Sequence, residues 1–264
     1  MIDRAHLENI IRNAGKMAMA FWPGQGNHLN HWEKAPNNPV SEADMAVDAY
    51  LKDALGNLLP SAGWLSEETG DSLARREGSL IWLVDPIDGT RDFIAGLGGW
   101  AVSVALISAG RPLIGALYAP ARMVDQGGEF WWAEAARGAT RNGTPLRASR
   151  RTDLPGARVP TTVLPPDLRV PLTMVDKPNS IALRMAMIAA DEADIVASTR
   201  WGYEWDIAAA ALILHEAGGR VTDAHGEKLS FNKMNPRDYG VLATAPDIHA
   251  DALAFLQNPV GGPG

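Results

Sequence analysis

Three features of the chain predict a mixed fold of helices with a mostly antiparallel sheet. Residues 3–21 place Leu7, Ile10, Ile11, Ala14, Met17 and Met19 at the spacing of an amphipathic helix. Between 101 and 147, short apolar runs are punctuated by glycine, the pattern of strands joined by tight turns in a mostly antiparallel sheet. The most helical stretch runs from Ile207 to Ala217, and Gly218-Gly219 closes it where a left-handed cap is favoured.

The remaining elements follow in order. Residues 22–40, rich in Pro, Gly, Asn and His, read as a loop carrying Lys34. Ser41 with Asp44 three residues later is a capping arrangement that opens a helix to about Leu58. Ala62–Ser66 is a short strand delivering Glu67 and Glu68, and residues 70–79 suit a surface turn to the next strand. That strand, Trp82-Leu83-Val84, meets Asp85, Pro86, Asp88, Gly89 and Thr90. Proline lacks an N–H and is expected to end the ladder there. Strands are expected at 101–107, 113–118, 128–133 and 138–147, with Arg141-Asn142-Gly143 as a hairpin turn. The proline-rich segment 148–180 suggests two halves, 1–150 and 151–264. A helix over 179–190, a strand at 193–197, a loop at 200–204, short strands at 221–222 and 239–243 and a helix at 248–256 complete the second half. Residues 258–264 are expected to fray.

Composition excludes several classes of function. With 264 residues, 46% of them hydrophobic, the chain can bury a large core. A net charge of −7 argues against a nucleic-acid polymer or an anionic membrane as partner. A small anionic substrate stays open, because bound cations can dominate a local field. There is no cysteine, hence no disulfide and no thiolate ligand or nucleophile. Met1–Lys16 carries mixed charges without the long apolar region of a secretory signal, and no apolar run would span a bilayer. A cytoplasmic protein is expected.

The chemistry concentrates at Asp85-Pro86-Ile87-Asp88-Gly89-Thr90. Two carboxylates at a strand's mouth suit a hard cation such as Mg²⁺. Asp88-Gly89 also fits an ordinary turn. A calcium loop with Gly89 as its sixth residue would begin at Val84, which offers no carboxylate. A phosphatase with an Asp-x-Asp-Gly-Thr nucleophile would need aspartate where Pro86 stands. By position alone, Glu67 and Glu68 are loop carboxylates, Asp44 is a capping residue and Asp206 is an N-cap.

The hexad resembles the signature of the inositol monophosphatase superfamily of metal-dependent phosphatases, which includes 3′(2′),5′-bisphosphate nucleotidases. Ser66-Glu67-Glu68 upstream, and Trp205-Asp206-Ile207-Ala208-Ala209 with Glu216-Ala217-Gly218-Gly219 downstream, match further family motifs in order, from about Lys34 to about Ala245. The resemblance implies α+β and α/β layers forming an αβαβα sandwich, with an N-terminal α+β half and a C-terminal α/β half. It implies two or three Mg²⁺ ions held by Glu67, Asp85, the Ile87 carbonyl, Asp88 and Asp206. Glu67 and an Asp44–Thr90 pair would activate water. Asp88, Gly89, Thr90, Arg91, Arg184, Glu204 and Asp206 would contact the substrate, a small phosphorylated metabolite. Lithium sensitivity and a homodimer are family properties expected here.

Within that resemblance, Arg91-Asp92 is chemically closer to the Lys-Glu of the nucleotidases than to the Thr-Asn of inositol monophosphatases. Thr199 stands where the latter carry an inositol-contacting glutamate; Glu204 is a possible substitute, and Arg184 is placed to meet a second phosphate. The substrate is thus an inositol monophosphate or a 3′(2′),5′-bisphosphate nucleotide. The alternative is a catalytically inactive member that binds metal or a phosphometabolite as a partner protein.

Overall fold

Helix α1 (Arg4–Phe21) buries Leu7, Ile10, Ile11, Ala14 and Ala18, the face its spacing predicts, and Asp3 caps its N-terminus. Helix α2 (Glu42–Leu58) packs beside it with Val47, Leu51 and Leu55 inward. The computed structural model describes residues 2–70, 75, 79–164 and 170–257.

Both helices cover one face of a seven-stranded sheet in the order β3-β4-β5-β6-β7-β8-β9. Its strands are β3 (Gly63–Ser66), β4 (Leu80–Asp88), β5 (Ala101–Ser108), β6 (Arg111–Ala119), β7 (Glu129–Glu134), β8 (Ala139–Arg141) and β9 (Thr144–Pro145). Side chains alternate across a strand, so Trp82 and Val84 meet the α1–α2 layer while Leu83 meets the opposite one. The opposite layer holds α4 (Ile181–Ala189) and α5 (Glu204–Glu216), whose Ala182, Ala186, Ala208 and Ala209 share one core with Leu83, Ala105, Leu117 and Trp131. A short parallel pair, β10 (Arg158–Pro160) and β11 (Thr173–Val175), leads into a three-stranded antiparallel sheet beyond them, β12 (Ile195–Tyr203), β14 (Arg237–Thr244) and β13 (Arg220–Thr222). Helix α6 (His249–Gln257) covers its far face through Ile248, Ala252, Ile195 and Leu242. The layers are therefore α-β-α-β-α, as expected. No helix among the described residues is long and apolar enough to cross a membrane.

Four local expectations are corrected. The 22–40 segment contains a hairpin, β1 (His31–Ala35) with β2 (Asn38–Ser41), turning at Pro36-Asn37 where Asn37 has φ 64°. Every residue of β1 is exposed, so it has no apolar alternation to read. Pro86 does not end β4: a bulge between Asp85 and Asp88 carries the pairing with β5 past it. Residues 200–203 are strand, with Trp201 opposite Tyr239 and Tyr203 opposite Arg237. Helix α5 consequently starts at Glu204, and Asp206 is its third residue rather than its N-cap. The turn expected over 70–79 falls mostly on residues 71–74 and 76–78, outside the described residues, as do residues 258–264.

The α5 layer sits close to the sheet. A Cβ on Gly115 of β6 would lie 2.6 Å from the Ala209 carbonyl oxygen, so only glycine permits this approach. Gly115→Val should lower unfolding free energy by about 1–3 kcal/mol, measured by chemical denaturation, because overpacking displaces backbone.

A buried polar tie holds the start of β12. Asp194 accepts from Arg158 Nε and N–H and from Ser149 Oγ. Burial alone would raise its carboxyl, but the Arg158 and Ser149 hydrogen bonds outweigh that and leave its pKa below the usual value. A depressed folded pKa gives stability that is present above the unfolded pKa of about 3.9 and lost as pH falls through the folded value. Asp194→Asn should therefore cost about 1–3 kcal/mol near pH 7 and progressively less in melts taken below pH 4.

Candidate active site

Parallel pairing of β3 with β4 starts the site. The register places Ser66 opposite Val84, and the Glu67 N–H continues the ladder to the Val84 carbonyl at 3.3 Å. Both strands point the same way, so Glu67 and Asp85 leave the sheet at one edge. Asp206 arrives from the first turn of α5, where its carboxylate accepts the Tyr203 N–H at 3.1 Å. One oxygen each from Glu67, Asp85 and Asp206 lies within 4.8 Å of the others.

Three carboxylates this close repel one another. Burial pushes the Asp85 carboxyl well above its usual range, and the charges of Glu67 and Asp88 push it further. Burial does the same to Asp206, reinforced by Asp88 and Glu67. The ammonium of Lys34, on β1, answers part of this charge, 3.0 Å from Glu67 Oε1 and 2.7 Å from Glu68 Oε1. Burial works against the Lys34 charge, but Glu67 and Glu68 raise its pKa overall. Glu68 is lifted by burial to about 7 despite that partner.

Asp88 is held differently. Its Oδ2 accepts from Ser180 Oγ at 2.5 Å and from the Ala182 N–H at 2.8 Å, so it receives the N-terminus of α4. Burial raises it to about 6 against these bonds. Ile87 donates its N–H to Asp85 Oδ1 at 3.0 Å, while its carbonyl lies 3.1 Å from Thr90 Oγ1. Thr90 Oγ1 is also 3.4 Å from Asp44 Oδ1, so its single proton is shared between two acceptors. Asp44 Oδ2 accepts from Ser41 N–H at 2.8 Å, completing the capping arrangement, and burial raises the carboxyl to about 6.

Gly89, with φ 97°, caps the short helix α3 (Thr90–Ile94). A Cβ there would lie 2.7 Å from the Gly99 carbonyl oxygen and 2.8 Å from the Ser180 nitrogen. Only glycine fits both the angle and the space.

Other expected site residues lie differently. Arg91 reaches the Asn37 carbonyl at 2.6 Å, fastening α3 to the hairpin turn. Arg184 faces Asp88 and Asp92, but donates to the Asn179 and Ser180 carbonyls at 3.2 and 3.3 Å. Glu204 is fully buried and accepts from the Asn232 and Lys233 N–H groups, with the Lys233 ammonium at 3.6 Å. It anchors the 232–233 loop and is not offered to the cleft. Sequence reasoning missed Ser180 as the partner of Asp88, and Asp48. Asp48 stands one helical turn after Asp44, a spacing that puts both on one face.

The inositol monophosphatase family model matches residues 3–259. This chain belongs to that family. Among relatives, it is 35% identical over 239 residues to a Streptomyces griseus protein named glucose-1-phosphate thymidylyltransferase, covering 86% of each chain. To the histidinol-phosphatase of Mycobacterium tuberculosis it is 34% identical over 233 residues, covering 83% of this chain and 84% of that one. The crystal structure of extragenic suppressor protein SuhB from Bartonella henselae superposes with a TM-score of 0.82 at 25% identity, covering 97% of this chain and 98% of the other.

For an inositol monophosphatase-family acidic centre without divalent cation, the raised carboxyl pKa values carry a sign. The folded chain holds protons that the unfolded chain has already released, so stability falls as pH rises from about 4 through the folded values. Asp85→Asn removes one charge and keeps the acceptor for Ile87. In cation-free buffer it should melt higher than wild type at pH 7, with the gap closing toward pH 4.

Proposed function

We propose that this chain is a divalent-cation-dependent phosphomonoesterase that hydrolyses a small phosphorylated metabolite. One observation carries the reading: Glu67, Asp85 and Asp206, from three separate elements, converge within 4.8 Å in a setting that resists ionisation of Asp85 and Asp206. The donors are hard oxygens, the set that suits Mg²⁺. Lys34 supplies the one ammonium paired with Glu67 among the described residues, less charge than the cluster carries. The site residues therefore fit a cation.

Glu67, Asp85, the Ile87 carbonyl, Asp88 and Asp206 would hold two or three ions. Among the described residues, Asp88 Oδ1 accepts only from the Ile181 N–H, at 3.4 Å, and so retains capacity to accept. Bound Mg²⁺ supplies neutralisation of phosphate charge and a more acidic water. The chain's own residues do the rest. Thr90 and Asp44 form the route for the proton leaving the attacking water, and Glu67 orients it. A carboxyl near 6 suits a general base at neutral pH. The first N–H groups of the Gly89–Arg91 turn are offered to phosphate oxygens. Water adds to phosphorus as the P–O ester bond breaks, and the alcohol leaves with a proton. In this reading, 1–150 provides Glu67, Asp85 and Asp88, 151–264 provides Asp206, and the enzyme works as a cytoplasmic homodimer.

Between the two substrate classes, the surroundings of Asp206 favour the nucleotide. Trp201 and Tyr203, 58% and 39% exposed, sit two apart on the strand that feeds Asp206. Arg237 lies 5.7 Å and 5.1 Å from their rings. Exposed aromatics beside a cation suit a flat base, whereas Thr199 offers no carboxylate to a polyol. Since Arg184 and Glu204 are engaged elsewhere, neither is retained as a substrate contact.

The test is phosphate release with Mg²⁺ from inositol 1-phosphate and from 3′-phosphoadenosine 5′-phosphate. Asp88→Asn should lower kcat/KM at least ~100-fold, since ligand and helix anchor are weakened together. Trp201→Ala should raise KM about tenfold for the nucleotide and leave the inositol ester unchanged. Full activity in Asp88→Asn would sink the mechanism. No release from either ester by the wild type, with Mg²⁺ bound, would sink the substrate assignment.

A further inference from the structure

We propose that Asp48 is a positioning residue for the cation site, acting through the bend that carries Glu67; the proposal rests on the cation-dependent reading above. β3 ends at Ser66, and the chain bends over Glu67, Glu68 and Thr69. Asp48 Oδ1 accepts from Ser66 Oγ, and its Oδ2 accepts from Thr69 Oγ1. Ser66 Oγ in turn receives the Glu68 N–H at 3.3 Å. One carboxylate therefore clasps both ends of the bend, with the two glutamates between.

This arrangement has no evident value for stability alone. Asp48 is 5% exposed and makes no ion pair among those of the described residues. A buried carboxylate held only by neutral hydroxyls loses hydration that those bonds restore only in part. Its neighbour one turn back on α2 is Asp44, and like charges at this spacing disfavour a helix. Leucine or asparagine in this place would carry neither penalty.

What the carboxylate does provide is two acceptors in one rigid plane. Two hydroxyls can donate to it at once, whereas an asparagine amide offers a single oxygen. Asp44 and Asp48 share one face of α2, and Asp44 contacts the Thr90 hydroxyl. The same helix thus references two separate segments: the Asp48 clasp holds the one bearing Glu67, and Asp44 meets the one bearing Thr90. Glu67 is further fixed by its backbone to β4. Removing the clasp would leave that backbone bond and free the side of the bend that faces Asp85 and Asp206. Groups that orient metal ligands typically contribute 10–100-fold in metal affinity.

The experiment is calorimetric titration of the full chain with MgCl2 alone, beside far-UV circular dichroism and cation-free melts. Wild type, Asp48→Asn, Thr69→Val, Thr69→Ser and the Asp48→Asn/Thr69→Val double variant are compared. Asp48→Asn and Thr69→Val should each weaken Mg²⁺ binding about 10–100-fold while retaining the wild-type spectrum. Thr69→Ser restores the hydroxyl and should bind as wild type, and the double variant should be no weaker than the worse single one. If Asp48→Asn does not fold, the half-buried Thr69 pair decides the question by itself. Equal Mg²⁺ affinity in Thr69→Val and Thr69→Ser would overturn the clasp while leaving the cation site standing. Absence of Mg²⁺ binding by the folded wild type would overturn the parent reading, and this one with it.

Discussion

Mutual repulsion among Glu67, Asp85 and Asp206 is the constraint around which the surrounding structure is arranged. Like charges within 4.8 Å, with Asp85 buried and the other two partly so, oppose the compact state, and the raised pKa values of Asp85 and Asp206 express that opposition. Such a cluster persists only where the framework over-determines it. The framework here is a parallel strand pair that sends two carboxylates out of one edge and a helix, close-packed through alanines and Gly115, that aims the third at them. The Lys34 ammonium relieves part of the charge from an exposed hairpin.

Asp88 shows how the site is joined to the core. Its carboxylate accepts from Ser180 and Ala182 at the start of α4, so one side chain both borders the acidic cluster and terminates a helix from beyond residue 150. Gly89 makes that approach possible, because a side chain there would strike the Ser180 nitrogen and the Gly99 carbonyl. The core that continues from β4 through α4 and α5 to β14 gives this junction its rigidity. Packing of that density transmits small displacements, so the positions of Asp88 and Asp206 are coupled to the interior.

Motif and periodicity carried different parts of the reading. The helices 3–21 and 41–58 were legible because their apolar residues face a sheet and repeat at helical spacing. Strands 101–108 and 111–119 were legible as apolar runs buried on both faces. The 31–41 hairpin and the 200–203 strand were not. In the first, β1 is wholly exposed and only Val40 and Ser41 of β2 are buried; the second carries its aromatics outward past a bulge, so neither shows the pattern of a half-buried strand. Glu204 looked available beside Asp206, but residues two apart on a helix diverge by about 200°, and it points into the 232–233 loop instead.

The sequence by itself determined the family, the layered fold and the identity of the clustered carboxylates, because local spacing and residue chemistry are properties of the chain before it folds. It also placed Gly89 where a left-handed backbone is needed. Only the tertiary structure decided which carboxylates meet. Glu67, Asp85 and Asp206 come together through parallel pairing and helix packing, which depend on contacts far apart in sequence. The same holds for Asp88 with Ser180, 92 residues away, and for Asp48 with Thr69, 21 residues away. A partner so far along the chain is a fact of three-dimensional proximity that no local pattern encodes, unlike the Ser41–Asp44 cap.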